Sequence, residues 1–247
     1  MDEHRLTPAH ISAYRQYLLQ EERAPATVEK YLRDIGRFAR WLDGEAVSRG
    51  AVASWKAQLL ADHRSPATVN AALAALNGLF HFLGWSDCHT RFLKVQRRAF
   101  RESSRELTYT DYQQLIDAAQ NTGRGRLALL MEAICSTGIR VSEVQYLTVE
   151  SAQRGRAEIS LKGKIRVILI PGKLCRKLLK YAKQQKIVSG EIFLTGNGAP
   201  LSRRQIWAEM KRLCTCAGVD AAKVFPHNLR HLFATTYYRA YKDIVKL

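Results

Sequence analysis

"CSTGIRVSEVQYL", residues 135–147, changes character twice within a short span. An apolar helix arriving from about 124 ends at Gly138, the residue type best able to take the left-handed conformation that closes a helix. A second helix opens at Ser142, with Gln145 three residues on as a capping box and Val141 with Tyr146 as a hydrophobic staple. This local grammar predicts a rigid corner between two helices and accounts for the glycine, the serine and the apolar residues. It leaves Arg140 unexplained, a guanidinium on a turn where no packing rule asks for one.

Two later stretches supply partners for that arginine. "AEISLKGKIRVILIP" shows β-branched alternation on either side of Lys162-Gly163-Lys164, the pattern of a β-hairpin. "FPHNLRHLFATTYYRAYKDIVKL", residues 225–247, gathers His227, Arg230 and His231. On a helix His227 and Arg230 face the same way, and the free N–H groups behind Pro226 favour an anion close by.

The halves of the chain differ. Residues 7–84 read as helices throughout. "PATVEKYLRDIGRFARWL" from Pro25 places Val28, Leu32, Ile35, Phe38, Ala39 and Leu42 at helical spacing. Forty-one residues later "PATVNAALAALNGLFHFLG" repeats its opening letters and apolar phase. Pro25 and Pro66 suit the first helical position and Ser65 an N-cap. Helices near 9–22 and 50–62 precede the two copies, which makes a small bundle of two helical hairpins.

A basic stretch follows, "WSDCHTRFLKVQRRAFRESSRELT", carrying Arg91, Lys94, Arg97, Arg98, Arg101 and Arg105. It reads as a solvated linker or as an arm along a polyanion, and the two readings are compatible. Beyond Glu106 helices dominate: one at 110–121 capped by Thr110, one at 124–136, one at 173–186, one at 202–216 and one from Pro226. Strands flank Lys162-Gly163-Lys164, and a third is expected at "EIFLT", 191–195. The fold class is two domains, an all-α bundle and then a mostly helical α+β domain with a small antiparallel sheet.

Composition narrows the partner. A formal net charge of +17 over 247 residues favours nucleic acid. No apolar run approaches a membrane span. The N-terminus has no apolar signal region, and the five cysteines, odd in number, fit a reducing cytoplasm. Cys214, Cys216, His227 and His231 spell a zinc-like pattern, but one and ten intervening residues replace the usual two to four and about twelve. The two cysteines also fall in a predicted helix, where side chains two apart diverge. The expectation is therefore no metal and no cofactor.

Taken together and in order, "TGIRVSEVQYLT", "LKGKIRVILIP" and "PHNLRHLFAT" resemble the first arginine box, the hairpin-lysine segment and the second arginine box of the tyrosine recombinases. That family comprises phage and transposon integrases and chromosome-dimer resolvases, and the wording here is nearest to integrases of conjugative or transposon elements. The resemblance implies a core-binding domain over residues 1–86, a basic linker over 87–105 and a catalytic domain over 106–247. It implies site-specific recombination of double-stranded DNA through a phosphotyrosyl intermediate, without metal. Arg140 and Arg230 would hold the scissile phosphate, Lys162 would protonate the leaving 5′-oxygen, and His227 would assist proton transfer. Glu143 and His231 would support the site, and the cations of the linker, with Lys164 and Arg166, would contact DNA. Family members act as homotetramers on DNA; this chain is expected to be a monomer in solution.

The chain departs from the family after Arg230. The Gly-His or Trp motif and the later tyrosine have no counterpart, and Tyr237, Tyr238 and Tyr241 come too soon. The expectation is a catalytic domain lacking its C-terminal end and its nucleophile, which binds DNA without cleaving it. A non-catalytic competitor or regulator at recombination sites is the alternative. In either case the two halves would grip opposite faces of the duplex.

Overall fold

The computed structural model of the protein describes residues 3–95, 105–161 and 164–242, the side chains of Leu161, Lys164 and Tyr241 excepted. The chain divides into two compact units, Met1–Arg98 and Ala99–Leu247.

The first unit is a helical bundle of α1 (Pro8–Gln20), α2 (Pro25–Leu42), α3 (Arg49–Ala61) and α4 (Pro66–Leu83). Pro25 and Pro66 both stand at helix starts, and the Ser65 hydroxyl accepts the Thr68 N–H at 3.2 Å. The repeated apolar phase lands in one core. Val28 and Val69, Ile35 and Leu76, and Phe38 and Leu79 are all buried.

Element starts in the second unit follow side-chain chemistry. Helix α5 (Tyr109–Asn121) is capped by Thr108, not by Thr110. Thr108 is extended, its hydroxyl accepts the Asp111 N–H at 3.1 Å, and its own N–H donates to the Asp111 carboxylate at 2.9 Å. Thr110 has Gln113 at the same spacing, but the reciprocal box forms at Thr108, where the charged Asp111 carboxylate takes the backbone N–H. Helix α6 (Gly125–Thr137) is buried on nearly every side and packs against α5 and three later helices, α8 (Gly172–Gln184), α9 (Arg203–Ala217) and α10 (Pro226–Tyr241). It is the axis on which the unit is built. Helix α7 (Val149–Arg154) leads into the hairpin.

Strands β1 (Arg156–Leu161) and β2 (Lys164–Leu169) pair antiparallel from Arg156↔Leu169 to Leu161↔Lys164. Alternation along β2 turns Ile168 inward (7% exposed) and leaves Ile165 and Leu169 at 77% and 76%. Arg166 shares the inward face with Ile168. The third strand expected at 191–195 does not form. Glu191 bridges Thr148 and Leu194 bridges Pro200, so its two ends pair with different loops and no ladder propagates. Ile192 and Phe193 serve instead as buried core.

Candidate active site: an arginine cluster around Glu143

Three elements converge where α6 ends. Gly138 takes the left-handed conformation expected of it, φ 62°. A Cβ at that position would sit 2.5 Å from the Phe233 ring of α10, so glycine also permits the helix to approach. The next segment, Val141–Tyr146, is a short 3-10 helix whose cap is Arg140, not Ser142. The Arg140 N–H donates to Glu143 Oε2 at 2.9 Å and the Glu143 N–H donates to the Arg140 carbonyl at 2.8 Å. Glutamate outcompetes Gln145 for this role because its carboxylate also takes the Arg140 side chain, Nη1 to Oε1 at 2.8 Å. Gln145 instead donates to the Ser142 carbonyl.

Glu143 is 3% exposed, and from β2 Arg166 Nη2 reaches its Oε2 at 2.5 Å. Burial alone would raise the Glu143 carboxyl, but the hydrogen bonds from Arg140 and the charge of Arg166 outweigh it and hold the group below the usual carboxylate range. From α10, Arg230 Nη1 donates to the Gly138 carbonyl. Burial, and then the charges of Arg140 and Arg166, pull the Arg230 guanidinium below its ordinary value, while Glu143 opposes them. Two guanidiniums therefore divide one buried carboxylate, and a third, Arg230, feels its charge from beside them.

Gly138, Arg166, Arg230, Phe233 and Tyr237 line a cleft of about 500 Å³. Helix α10 is held beside it by Asn228 (1% exposed), whose Nδ2 donates to the Arg105 and Lys223 carbonyls at 2.8 Å each. His227 lies exposed in the first turn of α10, and His231 Nε2 is 3.9 Å from Glu106 Oε1.

The structure thus brings Arg140, Glu143 and Arg230 together, and adds Arg166 to them. The motif resemblance places Arg166 only among the DNA-binding cations. Its signal is available in the β2 alternation, which sets it on the face of Ile168. Lys162, Arg97, Arg98, Arg101 and the Lys164 side chain lie outside the described residues. Arg91, Lys94 and Arg105 are exposed.

Of the zinc-like set, Cys214 is buried with its Sγ donating to the Met210 carbonyl, whereas Cys216 is exposed on the same helix. Among the described residues His4, Asp87 and Cys88 approach one another as potential ligands. His4 Nε2 already pairs with Asp87 at 3.0 Å, and burial pushes the Cys88 thiol up to about 11, away from the thiolate a metal needs. Among the described residues no helix is long and apolar enough to cross a membrane.

Residues 105–247 match the Phage integrase family model, and residues 11–87 match the Phage integrase, N-terminal SAM-like domain. The chain is 29% identical to tyrosine recombinase XerD of Xanthomonas axonopodis pv. citri, over 93% of this chain and 85% of that protein. It is 28% identical to tyrosine recombinase XerA of Thermococcus kodakarensis, over 91% of this chain and 79% of that protein. Its fold is similar to a lambda integrase dimer bound to a COC′ core site, with TM-score 0.78 and 19% identity over 96% of this chain and 72% of that one. The chain belongs to the phage integrase family, the tyrosine recombinases, whose activity is site-specific DNA recombination.

Proposed function

We propose that this protein binds double-stranded DNA at recombination sites, with residues 1–86 as core-binding domain, 87–105 as basic linker and 106–247 as catalytic domain. The carrying observation is the surplus of cation around Glu143: Arg140 and Arg166 divide its two oxygens while Arg230 stands beside them. A site so charged calls for an anion, and two planar forks suit the non-bridging oxygens of a phosphodiester.

In this reading Arg140 and Arg230 stabilise charge developing on the phosphate, which is where preorganised donors act most strongly. Glu143 holds Arg140 in place; in the family's cleavage step Lys162 would protonate the leaving 5′-oxygen and His227 would assist proton transfer. His231 anchors the helix. The guanidiniums supply the positive charge for a metal-free phosphoryl transfer.

The chain binds DNA without cleaving it. Tyr237 shares the cleft with Arg230 but stands on the same helix, its ring 5.9 Å from that of Phe233, and Tyr238 is 47% exposed. The family resemblance puts the nucleophile on a later helix than this one. The same placement suits a competitor or regulator that occupies recombination sites. A nicked suicide duplex tests the assignment. The expected result is salt-sensitive binding with no covalent adduct. A phosphotyrosyl adduct would overturn the non-cleaving reading, and binding indifferent to salt would overturn the phosphate seat.

A further inference from the structure

The segment after the first bundle does not leave it as free chain. Asn77 Nδ2 donates to the Thr90 carbonyl at 3.0 Å, and the Thr90 N–H donates to Asn77 Oδ1 at 3.2 Å. Asn70 repeats the arrangement with Leu93: Nδ2 to the carbonyl at 2.9 Å, and N–H to Oδ1 at 2.7 Å. Each asparagine offers the backbone the donor and acceptor that a neighbouring strand would offer. The spacing of the two rungs also agrees. Two helical turns from Asn70 to Asn77 span about 10.5 Å, and three extended residues from Thr90 to Leu93 span about 10 Å. Between the rungs, Lys56 Nζ of α3 donates to the Arg91 carbonyl at 2.8 Å.

The clamp holds backbone and leaves side chains outward. Arg91 and Lys94 are exposed, and Phe92 is 52% exposed between them. A groove of about 530 Å³ runs beside the segment, lined by Arg49, Asn77, His89, Arg91 and Phe92 among others. Two polar atoms in its wall, His89 Nε2 and Thr90 Oγ1, are buried without a hydrogen-bond partner. The surface is cationic, polar and fixed before any partner arrives.

We infer that Asn70 and Asn77 are positioning residues that lock residues 90–93 onto α4, making Arg91 and Lys94 a prebuilt seat for the DNA phosphate backbone. This rests on the DNA-binding function proposed above and adds the device that orders the arm. Ordering completed during folding is not charged against binding, so affinity rises with the same set of interactions.

A double-mutant cycle on a mixed-sequence linear duplex tests it. Arg91→Ala with Lys94→Ala should lower the slope of log affinity against log salt by about 1.8, roughly 0.9 for each phosphate no longer neutralised. Asn70→Ala with Asn77→Ala should weaken binding in the wild-type background and leave it unchanged once Arg91 and Lys94 are gone. Equal loss in both backgrounds would overturn the inference. Amide exchange gives a readout without DNA: the Thr90 and Leu93 N–H groups should be protected in the wild type and lose protection in the asparagine variants. Unprotected amides in the wild type would also overturn it. Should the double asparagine variant not fold, Lys56→Met removes the middle bond alone and should show the same coupling to Arg91 and Lys94. A wild-type chain that does not bind duplex in a salt-dependent way would instead remove the function proposed above, so the two failures are distinct.

Discussion

Arg166 Nη2 meets Glu143 Oε2 at 2.5 Å, joining strand β2 to the turn that carries Arg140. Glu143 is 3% exposed and gives its other oxygen to Arg140, so one carboxylate sets the position of two guanidiniums. Hydrogen bonds to a charged group contribute about 1.5–3 kcal/mol each. Glu143→Gln, which keeps the shape and removes the charge, should lower unfolding stability by about 1–3 kcal/mol, read as a shift in the urea midpoint. Duplex affinity should fall as well, because Arg140 loses its anchor.

Acid should erase that difference. The Glu143 carboxyl is depressed in the folded state and titrates at about 4.3 when unfolded. Its stabilisation is thus fully present above the unfolded value and is lost as pH falls through the folded one. Urea titrations of wild type and Glu143→Gln should differ most near neutrality, begin to converge below about pH 4.3, and coincide only once the depressed folded value is passed. Asp111, likewise depressed, contributes in the same direction but to both proteins alike.

Gly138 admits no side chain. Alanine there must hold φ 62° and place Cβ 2.5 Å from the Phe233 ring. Left-handed backbone costs an L-residue about 1–2 kcal/mol and overpacking about 1–3 kcal/mol. Gly138→Ala should therefore destabilise by about 2–5 kcal/mol in thermal or denaturant unfolding. Adding Phe233→Leu should recover part of the loss, since only the overlap is relieved.

Thr108 and Thr110 separate two assignments of one helix start. Because Thr108 makes the reciprocal box with Asp111, Thr108→Ala should cost about 1 kcal/mol. Thr110→Ala, inside the helix, should cost no more than a few tenths of that figure. Equal losses at the two positions, measured by urea unfolding, would contradict the cap.

The recombinase motifs, the cationic balance and most helix ends were legible in the residues alone. Pro25, Pro66 and Gly138 act through the backbone of their own turn, so short-range chemistry is enough to place them. Where two local solutions competed, only the folded backbone chose between them. Thr108 and Thr110 both fit a cap, and Ser142 with Gln145 imitated a box that Arg140 and Glu143 make.

Residue order and composition were enough for the family, the succession of helices and the charge. Folding in three dimensions was needed to bring Arg166 onto Glu143, to bring Gly138 against Phe233, and to hold Leu93 and Thr90 on Asn70 and Asn77. It also made 191–195 a piece of core without a ladder, because both candidate partners belong to other loops. Such pairings join residues far apart along the chain. Their geometry depends on how packed helices converge, which no local pattern of residues encodes.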